Sequence, residues 1–227
     1  MDGQHVDDRH PDGQHPDGQH ASGAHGLHVY GIVPADVEVA EDARGVGEPG
    51  SVTLVRHGAV AALVGRTVAA RPRGDLAAHV RLLDATAAEV PVLPIRFGTV
   101  APDAETVVAE LLEPHHDEFA RALDELEGRA EYVVEVRYAD QGPPREADIE
   151  TLVEAVAPVS VLVAPAASAH EPGTARLAVL IDTARAGELR RILDALARAW
   201  ADRVHPDLLG PMAPYDFVPF ECPPARS

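Results

Sequence analysis

The residues that could do chemistry are few, and most fail on spacing. Histidines recur at His5, His10, His15, His20 and His25 in copies of an Asp-Gly-Gln-His-Pro unit. Neutral imidazoles suit Zn, Ni or Cu, and a flexible chain could wrap several around one ion. A five-residue period matches neither a helix face nor a closed ligand loop, so a solvated extension is the competing reading. His115 and His116 precede Asp117 and Glu118. Consecutive helical residues point about 100° apart and cannot chelate one ion from one face. A solvated acidic helix start is expected there, and no metal site.

Gly45-Val46-Gly47-Glu48-Pro49-Gly50 has the spacing of a dinucleotide-binding loop. Such a loop must end a strand and open a helix whose N-terminus meets the pyrophosphate. Here the glycines run into strand-like Ser51-Val52-Thr53-Leu54-Val55, and Pro49 lacks a backbone donor, so a plain turn is expected. No nucleophile elbow, phosphate loop or helical zinc-protease pair occurs, and Cys222, the single cysteine, lacks an activating neighbour. His57 and His79 lie on regular elements, where a hydrogen-bonded structural role is the ordinary one. The expectation is a chain with no catalytic residues and no cofactor.

The elements that position these residues follow from periodicity. Residues 1 to 26 have no aromatic and almost no aliphatic residue to offset the entropy of ordering and read as a disordered tail. A strand over Leu27 to Val33 and a loop from Ala35 to Gly50 come next, then a hairpin of Val52 to His57 and Val60 to Gly65 around Gly58. A helix from Asp75 would bury Leu76, Val80, Leu83, Ala87 and Val90, and Val92 to Phe97 reads as a buried strand. Helical spacing from Pro102 to Gly128 is interrupted by Pro114, which predicts two helices or a sharp kink.

Beyond Gly128 the order is strand (Tyr132 to Tyr138), helix (Ala147 to Val156), strand (Val159 to Pro165), strand (Ala175 to Asp182), helix (Gly187 to Val204) and strand (Tyr215 to Phe220). This β-α-β-β-α-β order is the ferredoxin-like plan. The fold class is therefore α+β in two domains: an N-terminal α+β domain over 27–127 and a C-terminal ferredoxin-like domain over 128–227, preceded by the tail.

Charge narrows the partners. Thirty-seven acids against nineteen bases, all arginine, give a net charge of −18. That balance disfavours phosphate backbones and anionic lipid surfaces, so no nucleic acid and no membrane partner is expected. The longest mostly apolar stretch, Val159 to Ala169, is too short to span a bilayer, and a cytoplasmic location is expected.

Two segments stand out for rigid prolines beside aromatics: Val92 to Val100, with Arg96 and Phe97, and Gly210 to Phe217, with Tyr215 and Phe217. Arg96 interrupts an apolar strand, so it points to water or is buried against a carboxylate. The aromatics of the second segment are core or contact surface.

Together with Leu27-His28-Val29-Tyr30-Gly31-Ile32-Val33 and the Leu126-Glu127-Gly128-Arg129 junction, the Arg96-Phe97-Gly98-Thr99 centre and the closing Gly-Pro-x-x-Pro-Tyr-x-Phe resemble the GvpF/GvpL family of gas vesicle proteins. The resemblance spans residues 27 to 220, with Met212-Ala213 standing where Trp-Pro is expected. It implies an accessory protein for gas vesicle assembly that binds the hydrophobic major shell protein and other accessory gas vesicle proteins. It also implies a C-terminal domain of modified ferredoxin-like form, and some family members are placed at the gas-facing surface. Arg96, Phe97, Tyr215 and Phe217 become the candidate partner-binding residues. The rival reading is a small-molecule or metal-dependent enzyme with its site in the cleft between the two domains. A polar pocket with converging titratable groups would favour it, and a broad apolar patch would favour the assembly factor.

Overall fold

The computed structural model describes residues 26–40, 43–47, 50–66, 72–140, 142–166, 173–201 and 203–218. The histidine repeat and the tail expected over residues 1 to 26, Gly26 apart, lie outside the described residues, as do Phe220 and Cys222.

The chain forms a mixed α/β structure around two antiparallel sheets. The first contains β1 (Leu27–Pro34), β2 (Val52–His57), β3 (Val60–Arg66) and the short β4 (Leu93–Pro94) in the order β2-β3-β1-β4, with β5 (Val100–Ala101) also pairing with β1. Helix α1 (Pro72–Ala87) covers one face. The other is covered by a continuous helical segment made of α2 (Ala104–Thr106), a π-helical stretch (Val107–Leu112) and α3 (Glu113–Leu126). Alternate residues of β3 feed the two layers. Ala61 and Leu63 pack with Leu82 and Leu83 of α1, whereas Val60, Ala62 and Val64 pack with Leu111, Phe119 and Leu123. Both faces being covered explains why β1 and β3 are near-continuous apolar runs.

The second sheet contains β6 (Arg129–Tyr138), β7 (Leu162–Pro165), β8 (Thr174–Asp182) and β9 (Val204–Met212) in the order β7-β8-β6-β9. One face carries α4 (Glu146–Val156) and α5 (Ala186–Trp200), which bury Leu152, Val156, Leu189, Leu193 and Trp200 against Tyr132, Val134, Val136, Val179 and Ile181. The helix-free face places Glu135 opposite Arg176 on β8 and Asp207 on β9. Arg137 and Arg176 both bond Glu135, and Arg137 also bonds Asp207. Farther along this face Leu180 joins the apolar cluster of the first sheet and α3, so the two sheets are packed together.

Several expectations are corrected. The helix expected to run through Val204 ends at Trp200, where Ala201 adopts a left-handed backbone at φ 48°. Among the described residues the last strand is Val204–Met212, and the described part of the strand expected over Tyr215 to Phe220 is not one. Pro206 is tolerated within β9 because this is an edge strand, where a missing N–H costs no ladder bond. Tyr215 to Phe217 form a turn instead. Strand β7 begins at Leu162, after a 3-10 turn over Ala157–Val159. Of the strand expected over Val92 to Phe97, only Leu93 and Pro94 pair, although Val92 to Ile95 are buried.

The break expected at Pro114 is absorbed without separating the helix. The turn before it is π-helical, and the Glu113 N–H bonds the Val108 carbonyl five residues back. Widening the turn accommodates a proline that has no N–H and would clash with an α-helical carbonyl. The phase of α1 also differs: Leu76 is 46% exposed, while Asp75 and His79 are buried.

Candidate functional site

Helix α1 is the common seat of both proline and aromatic segments. Toward its start, His79 points into the first sheet, where its Nε2 lies 3.1 Å from the Ile95 carbonyl and its Nδ1 3.0 Å from His28 Nε2. A carbonyl only accepts, so His79 carries its proton on Nε2 and its Nδ1 accepts from His28. Phe97 closes the cluster, its ring centroid 5.5 Å from both imidazoles, and Tyr30 stands 4.7 Å from His28. Burial lowers both imidazoles, His79 to about 4. Both are neutral at pH 7, and each ring is committed to structure.

Tyr30 explains the glycine motif that resembled a nucleotide loop. The Val46 N–H donates to its hydroxyl at 2.6 Å, and a Cβ on Gly45 would lie 2.1 Å from that oxygen. The Gly45 N–H bonds the Gly50 carbonyl at 2.7 Å, closing a turn that leads into β2, not a helix. The glycine is needed so that backbone can approach a buried tyrosine.

About one and a half turns farther along α1, Asp84 meets the segment that leaves β9. Its Oδ1 accepts the Ala213 N–H at 3.1 Å, and the Tyr215 hydroxyl donates to the same carboxylate. Glu131, on the helix-free face of β6 and 1% exposed, accepts the Asp216 N–H at 2.9 Å. Burial pushes Asp84 and Tyr215 up, and it pushes Glu131 up to about 8, so Glu131 is largely protonated at pH 7. Ala213 enters the apolar cluster under α1, and Phe217 and Val218 pack against the one under α3. Residues 213–218 therefore tie the second sheet to both sides of the first.

The four candidate residues divide by placement. Arg96 points to water, which resolves its alternatives, and Tyr215 keeps 37% of its surface exposed although its hydroxyl end is enclosed. Phe97 and Phe217 are partly buried against different clusters. Arg96, Phe97 and Tyr215 gather around α1, and Phe217 lies on the opposite side of the first sheet. Sequence reasoning missed Glu131 and Asp84, which look like ordinary solvent-facing acids at their positions.

His116 was expected to be solvated. Its Nε2 instead accepts the Ala59 N–H at 3.1 Å while its Nδ1–H donates to Asp117 at 2.8 Å. It clamps the β2–β3 turn, where Gly58 has a φ of 57° and a Cβ would lie 2.4 Å from the imidazole. Among the described residues, no group of three or more His, Cys, Asp or Glu could hold a metal ion, and no helix is long and apolar enough to cross a membrane.

Comparison with known proteins matches the family model described as gas vesicle synthesis protein GvpL/GvpF at residues 26–145 and 142–219. The chain is 28% identical over 255 residues to gas vesicle protein L of Streptomyces sp. (strain CB03234), covering 84% of this chain and 92% of that protein. It is 38% identical over 120 residues to gas vesicle protein F of the same organism, covering 50% of this chain and 49% of the relative. The crystal structure of the gas vesicle protein GvpF from Anabaena sp. PCC7120 aligns with a TM-score of 0.74 at 21% identity, covering 86% of this chain and 97% of that one. The GvpF structure from Microcystis aeruginosa aligns with a TM-score of 0.71 at 16% identity, covering 86% and 99%. At these identities the two structures speak to the fold.

Proposed function

Because this chain belongs to the gas vesicle synthesis protein GvpL/GvpF family, which implies a role in gas vesicle formation, we propose that it is an assembly factor binding the hydrophobic major shell protein and other accessory gas vesicle proteins. The family match across residues 26 to 219 carries this reading. A shell subunit exposes apolar surface before it is built into a gas-filled wall, and a partner that covers that surface prevents aggregation. A net charge of −18 on the partner would keep the complex dispersed.

We assign Arg96, Phe97, Tyr215 and Phe217 to partner contact or to the docking that supports it. Arg96 and Tyr215 offer exposed surface of residue types that concentrate binding energy. A second exposed apolar patch lies at the free edge of the second sheet, where Val161 and Leu162 are 40% and 51% exposed. We also read the two sheets as two domains, 27–127 and 128–227. The order β6-α4-β7-β8-α5-β9 and the sheet order β7-β8-β6-β9 support a ferredoxin-like second domain. In this reading the tail of residues 1 to 26 is dispensable for folding, and the protein acts in the cytoplasm and on the gas vesicle, including its gas-facing surface.

The family is a gas vesicle structural and assembly family and not a known class of enzyme. The titratable groups that converge in this fold are engaged by the chain itself: His79 by Ile95 and His28, Asp84 by Ala213, and Glu131 by Asp216. The test is co-expression of the full chain with the major shell protein, followed by affinity capture on a tag carried by this chain. Recovery of shell protein with the chain, and its precipitation without it, is expected. Insoluble shell protein in both cultures and none captured would refute the reading.

A further inference from the structure

The junction between the sheets is built from acids where apolar residues would suffice. Glu131 is almost fully enclosed, and the strand positions opposite it, Leu180 and Met212, carry no charge. The charged and titratable groups that face it come from the two other elements packed there. Helix α1 supplies Asp84, and the closing segment supplies Tyr215 and Asp216, whose side chain hydrogen-bonds Glu131. An enclosed carboxylate with acidic side chains beside it and no cation among the described residues to compensate is costly, so Glu131 keeps its proton.

We propose that residues 213–218 form a strap fastened by a proton retained on the enclosed Glu131 at the junction with α1, and that loss of this proton as the pH rises releases the strap from the junction. The fastening is local: Ala213 N–H on Asp84, Tyr215 hydroxyl on Asp84, and Asp216 N–H on Glu131. Ionising Glu131 leaves a buried carboxylate beside Asp84 and the strap, and water is reached by lifting the strap. Opening would withdraw Ala213, Phe217 and Val218 from the two apolar clusters they complete. This device does not depend on what the protein binds.

The sign follows from linkage. In the opened form Glu131 is solvated, with an ordinary value near 4.5, whereas closure holds its proton up to about 8. Between those values the closed form binds more protons, so the opened population grows by up to about tenfold per pH unit and levels off above the upper value.

The experiment uses the full chain with methyl-labelled valine and leucine between pH 6 and 9.5. Infrared spectra should show a protonated carboxyl band at pH 7 that disappears with a midpoint near 8 and is missing in Glu131→Gln. Relaxation measurements on the Val218 methyls should show an opened population that rises with pH in the natural protein and is flat in Glu131→Gln. Should that variant not fold, Asp84→Asn replaces it, and the infrared midpoint should fall because a neighbouring charge has been removed. No protonated band at pH 7, a flat opened population in the natural protein, or an unmoved midpoint in Asp84→Asn would each overturn the proposal.

Discussion

Acidification should loosen the first sheet through His79, and the size of the effect follows from its surroundings. His79 is 2% exposed, donates to a carbonyl and accepts from a second imidazole. Protonation would remove the acceptor from His28 and bury a charge beside Phe97 and Tyr30. The folded value of about 4 lies below the ordinary imidazole value of 6.5, so between these the unfolded chain binds more protons. Stability is therefore complete above 6.5 and falls as the pH drops towards 4. At about 1.4 kcal/mol per pH unit, the full window corresponds to about 3 kcal/mol. His28, lowered in the same direction, adds to the loss.

Glu131 has the opposite sign. Its stabilisation is complete below the ordinary carboxyl range and is lost as pH rises through about 8, so it partly masks the histidine slope in the natural protein. The comparison that isolates the histidine is His79→Gln, whose amide can both donate to Ile95 and accept from His28. Chemical denaturation at pH 7, 6, 5 and 4 is the assay. The variant should be weaker at pH 7 by about 0.5–1.5 kcal/mol for imperfect hydrogen bonds. It should then lose about 3 kcal/mol less than the natural protein on going to pH 4. Parallel acid slopes in the two proteins would refute the argument, because every other titrating group is common to both.

Gly45→Ala should destabilise the protein by about 1–3 kcal/mol, since its Cβ would overlap the Tyr30 hydroxyl, and thermal melts read the loss. Tyr215→Ala should weaken capture of the shell protein by about 1–3 kcal/mol in pulldown titrations, with melts run beside them to register the lost Asp84 bond. Phe217→Ala should act mainly on stability, lowering the melting temperature before it lowers capture. Deleting residues 1–25 should leave the melting temperature and vesicle formation unchanged, and loss of either would assign the repeat a role.

The sequence made most of the framework legible where local pattern and burial agree. The β2–β3 hairpin, β6, α4 and β8 lie within a residue or so of expectation, apart from the earlier start of β6 at Arg129, because each buries one continuous face or run. Legibility failed where a polar group is inside. Helix α1 presents Asp75 and His79 to the core and leaves Leu76 exposed, so apolar spacing sets its phase one residue off. Strand β6 alternates cleanly, with Ala130, Tyr132, Val134 and Val136 facing the helices. The other face, carrying Glu131 and Glu135, therefore reads as solvated, yet Glu131 is enclosed at the junction with the closing segment and Glu135 is covered by Arg137 and Arg176. That burial depends on a contact between distant parts of the chain, which no local pattern encodes. Strand β9 is missed because the helix expected before it runs on through Val204, although Val204 and Leu208 keep the two-residue period of a strand.

The placement of the candidate residues separates two roles that their types alone confuse. Aromatic and proline-rich segments suit a binding surface and an internal strut equally well, because both need rigid backbone and large contact area. Phe97 spends its ring on His28 and His79, and Phe217 spends its ring on the cluster beneath α3. Both are committed before any partner arrives. Arg96 and the exposed part of Tyr215 are not, and both belong to segments seated on the same helix. A partner that docks on these segments, as proposed, would meet a surface whose backing is the His28–His79 pair and the Asp84–Glu131 junction. The backing clusters respond to pH in opposite senses, His79 losing stability as the pH falls below 6.5 and Glu131 losing it as the pH rises from about 4.5 towards 8, so the surface is best ordered in mild acid, where the two windows overlap.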